Sequence, residues 1–267
     1  LTALDGIDGF RMDSPASNSS NSHFGGSVSG GVDINGDGFD DIVLGAKDAP
    51  SAGTKFGQTF VLFGTDAAQS ATFNLATLDG HNGARLDGVG NNDNSGVSIA
   101  ALADINGDGL DDVLIGAPYN DTLAADAGAA YLVLHSATGG ATQTLSTLNG
   151  TNGLVLQGGV AADYSGSSVS SLGDFNGDGF GDLVIAADRT YSTGLGSTYV
   201  ILGDDAAFAA AVSLEGQAGS SGFRIDADAS FQVKTVGRAG DIDGDGLDDL
   251  IIGGFKADAP GRAEAGM

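Results

Sequence analysis

Short apolar stretches bounded by glycine or small polar residues recur along the whole chain. Three-residue runs of Val, Ile and Leu begin at Ile42, Val113, Leu183 and Leu250. Continuous apolar runs of this length, ended by glycine or alanine, favour strands that are buried on both faces. A stretch rich in small residues precedes each run, and two further apolar stretches follow each of the first three. The pattern predicts units of four short strands.

These predicted strands occupy corresponding places in each unit. Besides the apolar runs, which form the second strands, they comprise first strands at 24–28, 95–99, 164–169 and 231–236, third strands at 59–63, 130–134 and 198–202, and fourth strands at 84–87, 154–157 and 223–226. Helical patterns are scarce, and 204–212 is the best candidate for a brief helix. Four short strands per repeat are typical of a β-propeller blade.

One Asp-rich segment marks the repeat. Its four copies begin at Asp33, Asp104, Asp174 and Asp241, which are separated by 71, 70 and 67 residues. We expect a single all-β, propeller-type domain over residues 1–267, with four units at about 13–86, 87–156, 157–225 and 226–267, the last incomplete. The chain opens within the fourth-strand region of an earlier unit. This favours an arc of a larger propeller of about seven blades that continues into further repeats or domains, and a four-bladed ring is the alternative.

Each segment forms a nine-residue loop between the first two strands of its unit. Positions one, three, five and nine carry Asp or Asn, and position six is Gly. Alternating side chains on a tightly curled loop can converge on one point, and the glycine permits the sharp turn. Position seven would supply its backbone carbonyl. Such hard oxygen ligands suit Ca²⁺ and not Zn²⁺ or Cu²⁺, so the sequence predicts four calcium sites.

The predicted ligands fall into four sets of five, one set per loop. They are Asp33, Asn35, Asp37, Phe39 and Asp41; Asp104, Asn106, Asp108, Leu110 and Asp112; Asp174, Asn176, Asp178, Phe180 and Asp182; and Asp241, Asp243, Asp245, Leu247 and Asp249.

Electrostatics supports the calcium interpretation over a simple turn, although all these residue types favour turns. Each pair of carboxylates held 4 Å apart repels by roughly 1–4 kcal/mol, and a divalent cation removes that cost. The flanks exclude an EF-hand or a dockerin loop, because position twelve is Leu44, Ile115, Ile185 or Ile252 and not an acidic residue before a helix.

Composition limits the classes of partner. The formal net charge is −25, which argues against binding to nucleic acid or to an anionic membrane surface. No run of 18 apolar residues occurs, so we expect no membrane insertion. The chain has no Cys, which rules out a disulfide framework.

The units resemble FG-GAP repeats, the blades of the integrin α-subunit propeller and of its bacterial relatives. The matching residues are Phe24-Gly25 before the first loop, Ile42-Val-Leu-Gly45-Ala46 after it, and Gly116-Ala117-Pro118 in the second unit. Units one, three and four depart from Gly-Ala-Pro, and unit four has Phe231-Gln232 in place of Phe-Gly.

The resemblance implies a propeller with a structural Ca²⁺ in the loop that joins the first two strands of each blade. It also implies an extracellular, secreted or cell-surface setting. The leading hypothesis is a calcium-stabilised module for adhesion that binds an unidentified protein or glycan surface ligand. Two alternatives are an accessory propeller of a secreted hydrolase and a purely structural repeat of a surface layer or large adhesin.

The sequence predicts no enzyme and no catalytic residue. His23, His81 and His135 occupy different places in their units, and no Gly-x-Ser-x-Gly or His-Glu-x-x-His motif occurs. Three arginines, Arg11, Arg85 and Arg224, recur in the fourth-strand region, where we expect them to pair with neighbouring Asp residues at the outer edge.

Overall fold

The computed structural model consists of three four-stranded antiparallel blades and the first two strands of a fourth. It describes residues 4–6, 8–15, 22–51, 54–134, 140–188, 196–217, 219–227 and 231–255. His135 and the end of unit four therefore lie outside the described residues. The strands of the blades, in chain order, are Ser27–Val32, Asp41–Ala46, Gln58–Leu62 and Gly83–Asp87; Ile99–Leu102, Asp112–Ala117, Ala129–Val133 and Gly153–Gln157; Ser165–Gly173, Asp182–Ala187, Ser197–Ile201 and Gly222–Asp226; and Gln232–Gly240 and Asp249–Phe255.

A short strand from each following unit extends the outer edge of the sheet. Arg11–Asp13 pairs in parallel with Thr72–Asn74, Gly83–Asp87 with Thr142–Thr144, and Gly153–Gln157 with Ala211–Ser213. The apolar pattern of the sequence does not predict these outer strands. A two-stranded hairpin, Pro50–Ser51 with Thr54–Lys55, completes the described strands.

The helical prediction over 204–212 is wrong, because that segment is irregular and then enters the strand Ala211–Ser213. The described helices are single 3₁₀ turns at Leu75–Thr77, Leu145–Thr147, Leu214–Gly216 and Gly219–Ser221. In the part of the chain that the structure describes, no helix has the length and hydropathy needed to cross a lipid bilayer.

The second strands of the three complete blades lie in the core, as their continuous apolar runs predict. All six residues of Asp112–Ala117 and of Asp182–Ala187 are buried. Apolar side chains of neighbouring blades pack together, so that Leu114 and Ile185 belong to one cluster with Leu156. The second and third blades therefore share one apolar cluster.

Two glycines allow close approach between neighbouring blades. A Cβ atom on Gly116 would lie 2.1 Å from the carbonyl oxygen of Gly166 in the next blade. Gly45 stands in the same relation to Gly96. Only glycine fits where backbones approach this closely. This is the physical reason for the glycine that follows each of the first two loops.

Apolar residues of the strands are exposed at both ends of the array of blades. Val28 is 65% exposed, whereas Ile99, Val169 and Val236 at the same repeat position are 6–7% exposed because the preceding blade covers them. Ile251, in the fourth blade, is 57% exposed. Among the described residues, every pair of strands that belong to different units joins a unit to the next one along the chain. The structure thus confirms the all-β fold of propeller blades and agrees with the arc.

Candidate metal centres

The carboxylate at position one of each loop organises the loop backbone. Asp33 accepts hydrogen bonds from Gly36 N at 2.8 Å on Oδ1 and from Gly38 N at 2.8 Å on Oδ2. Equivalent bonds of 2.6–3.0 Å recur on the first Asp of the other three loops. Position six has φ between 88° and 95° in all four loops, a conformation that favours glycine. The four loops therefore share one conformation.

The carboxylate at position nine ties the loop to the core. Asp41 accepts Ile34 N on Oδ2 and Gly64 N on Oδ1, both at 2.8 Å. Asp182 makes the same two bonds, to Phe175 N and Gly203 N. Both carboxylates are about 1% exposed, and burial raises the pKa of each above its usual range. The two N–H donors offset part of the cost of burying each carboxylate, and a nearby cation would offset more of it.

The side chains at positions three and five contact each other in the first three loops. Asn35 donates from Nδ2 to Asp37 Oδ2 at 2.9 Å, and the corresponding bonds in the second and third loops are 3.0 and 2.8 Å. The other oxygen of Asp37 accepts the N–H of Phe39 at position seven, at 3.0 Å. Position five is thus bonded within its own loop.

The fourth loop brings three carboxylates together. Asp241, Asp243 and Asp249 each present an oxygen, and these oxygens lie within 4.8 Å of one another. This is the loop in which Asp replaces Asn at position three. Three carboxylate oxygens at this spacing suit a hard divalent cation such as Ca²⁺. The fifth-position residue, Asp245, accepts the N–H of Leu247 at 2.8 Å, as its counterparts do in the other loops.

The sequence analysis assigns no role to position eight, although this position is Asp in three of the four loops. Asp111 reaches the preceding loop, where its Oδ2 accepts Asp33 N at 2.8 Å. The side chains at position seven of the second to fourth loops also contact the preceding loop, although the sequence predicts a role only for their carbonyls. The repeated Asp at position eight was the available signal.

The recurring arginines pair at the outer edge as predicted. The distance from Nε to the nearest Asp oxygen is 2.7 Å for Arg11 with Asp13, 2.9 Å for Arg85 with Asp87, and 2.7 Å for Arg224 with Asp226. These arginines belong to the strand edges and not to the candidate metal centres. His23 lies 2.6 Å from Asp48, and His81 is in a turn held by Asp79.

A small cavity lies on the rim opposite the Asp-rich loops, where the second strands end and the first strands begin. It is open to solvent and has a volume of about 150 Å³, and five of its lining residues are Lys47, Tyr119, Tyr164, Asp188 and Lys234. The two tyrosine rings meet edge to face with their centroids 5.4 Å apart. Aromatic faces with nearby charged groups are common in binding sites.

Comparison with known proteins places these blades in a family. The model of the FG-GAP repeat matches residues 24–62, 95–133 and 165–201, which cover the first three strands of each complete blade. Integrin alpha-5 of Xenopus laevis is 32% identical over 250 residues, and integrin alpha-V of Gallus gallus is 31% identical over 244 residues. These alignments cover 91% and 89% of this chain but 21% and 20% of the relatives.

A shorter alignment with integrin alpha-IIb of Mus musculus is 34% identical over 162 residues, which is 59% of this chain and 14% of the relative. The chain therefore spans about a fifth or less of the length of these relatives. The residues that the FG-GAP repeat matches include the first three Asp-rich loops. The chain is an FG-GAP repeat protein, and its propeller blades are of the integrin α type.

Proposed function

We propose that the protein is a calcium-binding propeller module with one structural Ca²⁺ in each of its four Asp-rich loops. The observation that carries the proposal is the convergence of Asp241, Asp243 and Asp249, whose ligand oxygens lie within 4.8 Å of one another. The first three loops have the same hydrogen-bonded backbone and differ in having Asn at position three. An Asn side chain still offers a neutral oxygen ligand.

Within each loop, the Asp or Asn side chains at positions one, three, five and nine and the carbonyl at position seven would hold the ion. In the fourth loop, the ion would neutralise three carboxylates that the fold holds close together. An ion would also offset part of the desolvation of position nine, which is buried in the first three loops. Four Ca²⁺ ions would compensate about a third of the formal net charge of −25.

A calcium titration followed by calorimetry tests this proposal. Extracellular modules bind Ca²⁺ with Kd of about 10⁻⁴–10⁻³ M, so we expect saturation at millimolar calcium. Replacement of Asp243 by Asn, which converts the fourth loop to the composition of the other three, should weaken the fourth site and leave the distant first and second sites unchanged. Absence of heat and of any change in melting temperature on addition of millimolar calcium would refute the proposal.

The biological role that we propose is adhesion at a cell surface or in a secreted protein, without catalysis. The relatives are integrin alpha subunits, and their similarity covers most of this chain. The partner would be a protein or a glycan. The cavity beside Tyr119 and Tyr164 is the contact region that we propose, because calcium would make the opposite rim rigid and leave this rim accessible.

Binding to an array of glycans and surface proteins, in calcium and in chelator, tests the role. We expect a calcium-dependent partner whose binding falls when Tyr119 is replaced by Ala, whereas replacement of the exposed Leu123 by Ala serves as a control. Hydrolysis of a glycan or ester in the same assay would instead favour a hydrolase.

A further inference from the structure

Consecutive Asp-rich loops contact each other along one rim of the arc. The side chain at position seven of each loop packs over the glycine at position four of the preceding loop. A Cβ atom on Gly36 would lie 2.6 Å from Leu110 Cδ2, and one on Gly107 would lie 2.6 Å from Phe180 Cε1. The same contact joins Gly177 to Leu247 at 3.0 Å. Each loop therefore rests against the next one.

Hydrogen bonds strengthen the contact between the first two loops. Asp111 accepts the N–H of Asp33 on Oδ2 at 2.8 Å, and its own N–H donates to the Asp33 carbonyl at 3.3 Å. Between the second and third loops, where position eight is Gly181, the backbone bond to the Asp104 carbonyl remains, at 2.7 Å. The residue that organises each of these loops is thus held in place by the loop that follows.

Asp111 is well placed to pass a change from one loop to the other. It stands between two proposed ligands of the second loop, the Leu110 carbonyl and the Asp112 carboxylate. An ion in the second loop would fix both of its neighbours and so fix Asp111. A fixed Asp111 would in turn hold the backbone of Asp33, whose carboxylate orders the first loop. Coupling between two sites is reciprocal, so order in the first loop would also favour binding in the second.

We propose that Asp111 is a positioning residue for the calcium site of the preceding blade and that neighbouring calcium sites fill cooperatively through this contact. This inference rests on the proposed calcium function. Asp111 binds no ion itself in this scheme, since its carboxylate is engaged with the Asp33 amide. A coupling of about fivefold in affinity is the lower end of what such linked sites show.

The experiment follows hydrogen exchange in the full chain while calcium is titrated. Peptides that cover residues 33–41, 104–112 and 241–249 report the first, second and fourth loops separately. Each peptide yields the calcium concentration at which its protection from exchange is half-maximal. We compare the wild type with Asp111→Ala, with the conservative Asp111→Asn, and with Asp40→Ala. Asp40 occupies position eight of the first loop, on the exposed side of the arc, so its replacement removes the same charge without breaking a contact between loops.

We expect Asp111→Ala to raise the half-maximal concentration for the first loop at least fivefold and to leave the fourth loop unchanged. Asp111→Asn keeps an oxygen that can accept the Asp33 amide and should remain within about twofold of the wild type. Asp40→Ala should also change the first loop by less than about twofold.

Two results would overturn the inference in distinguishable ways. If all loops gain protection with calcium but Asp111→Ala leaves the first loop at its wild-type midpoint, the coupling is wrong and calcium binding stands. If calcium protects none of the loops in the wild type, the calcium function itself fails. An unchanged fourth loop in Asp111→Ala also shows that the variant is folded, which removes misfolding as an explanation.

Discussion

Replacement of Asp104 by Ala should change the effect of calcium on stability by a predictable amount. In the absence of calcium, the variant loses the carboxylate that accepts Gly107 N at 2.7 Å and Gly109 N at 2.8 Å. Hydrogen bonds to charged groups contribute about 1.5–3 kcal/mol each when shielded from water. These N–H groups are on the exposed side of the loop, where water can replace the carboxylate. We therefore expect a net loss of about 1–2 kcal/mol in the free energy of unfolding.

Calcium should increase the difference in the free energy of unfolding between the wild type and Asp104→Ala. At a free calcium concentration about a hundredfold above Kd, each occupied site adds about 2.7 kcal/mol to stability. The variant lacks one site, so its deficit relative to the wild type should grow by about 2.7 kcal/mol between chelator and calcium. The hydrogen bonds alone would give the same difference in the free energy of unfolding in chelator and in calcium, so the increase of that difference in calcium reports ligand binding.

Urea denaturation of both proteins, with chelator and with calcium, measures the two deficits. Hydrogen exchange over residues 104–115 shows whether the loss is local to the second blade. Asp66→Ala is the matched control, because Asp66 is exposed on the same rim and belongs to no Asp-rich loop. Equal deficits of Asp104→Ala in chelator and in calcium would refute the assignment of the second loop as a calcium site.

Three further predictions follow from burial and hydrogen bonding. Burial raises the pKa of Asp93, so the folded chain binds a proton at this carboxylate more tightly than the unfolded chain does. The wild type should therefore gain stability relative to Asp93→Asn as pH falls from 7 to about 5. Equal pH dependence of the two proteins in urea denaturation would contradict this. Val169→Ala should cost about 2 kcal/mol in thermal or urea unfolding, whereas Val28→Ala, at the same repeat position but 65% exposed, should cost less than about 0.5 kcal/mol. Tyr199→Phe should cost about 1 kcal/mol, because it removes the 2.8 Å bond to Glu215, and an unchanged urea midpoint would show that this bond is not stabilising.

Local pattern was sufficient to predict the strands of the blades and the loop between the first two. For example, the apolar run at 183–185 and the glycines of the preceding loop lie within a few residues of each other and are enough to predict a loop followed by a buried strand. The loop conformation was also predictable, because Gly179 and the surrounding Asp residues form their hydrogen bonds within nine positions. These features depend on short-range chemistry.

The features that the sequence did not predict depend on neighbouring units. Segment 204–212 is rich in alanine, which favours a helix, but it is too short to form one alone. Instead Phe208 and Val212 pack on the core, and Ala211–Ser213 pairs with the preceding blade. The contact of Asp111 with Asp33 likewise joins residues 78 positions apart. Local periodicity carries no information about such contacts.

The outer strand that each unit receives from the next one determines where the chain can be divided. A fragment cut at residues 87 and 156 follows the sequence repeat, but it lacks Ala211–Ser213, which pairs with the edge strand Gly153–Gln157. That edge would then offer unpaired N–H and C=O groups to other molecules, a condition that promotes aggregation. A soluble piece that contains the second blade must therefore extend at least to residue 213, so the smallest separable part of this protein is longer than its repeat.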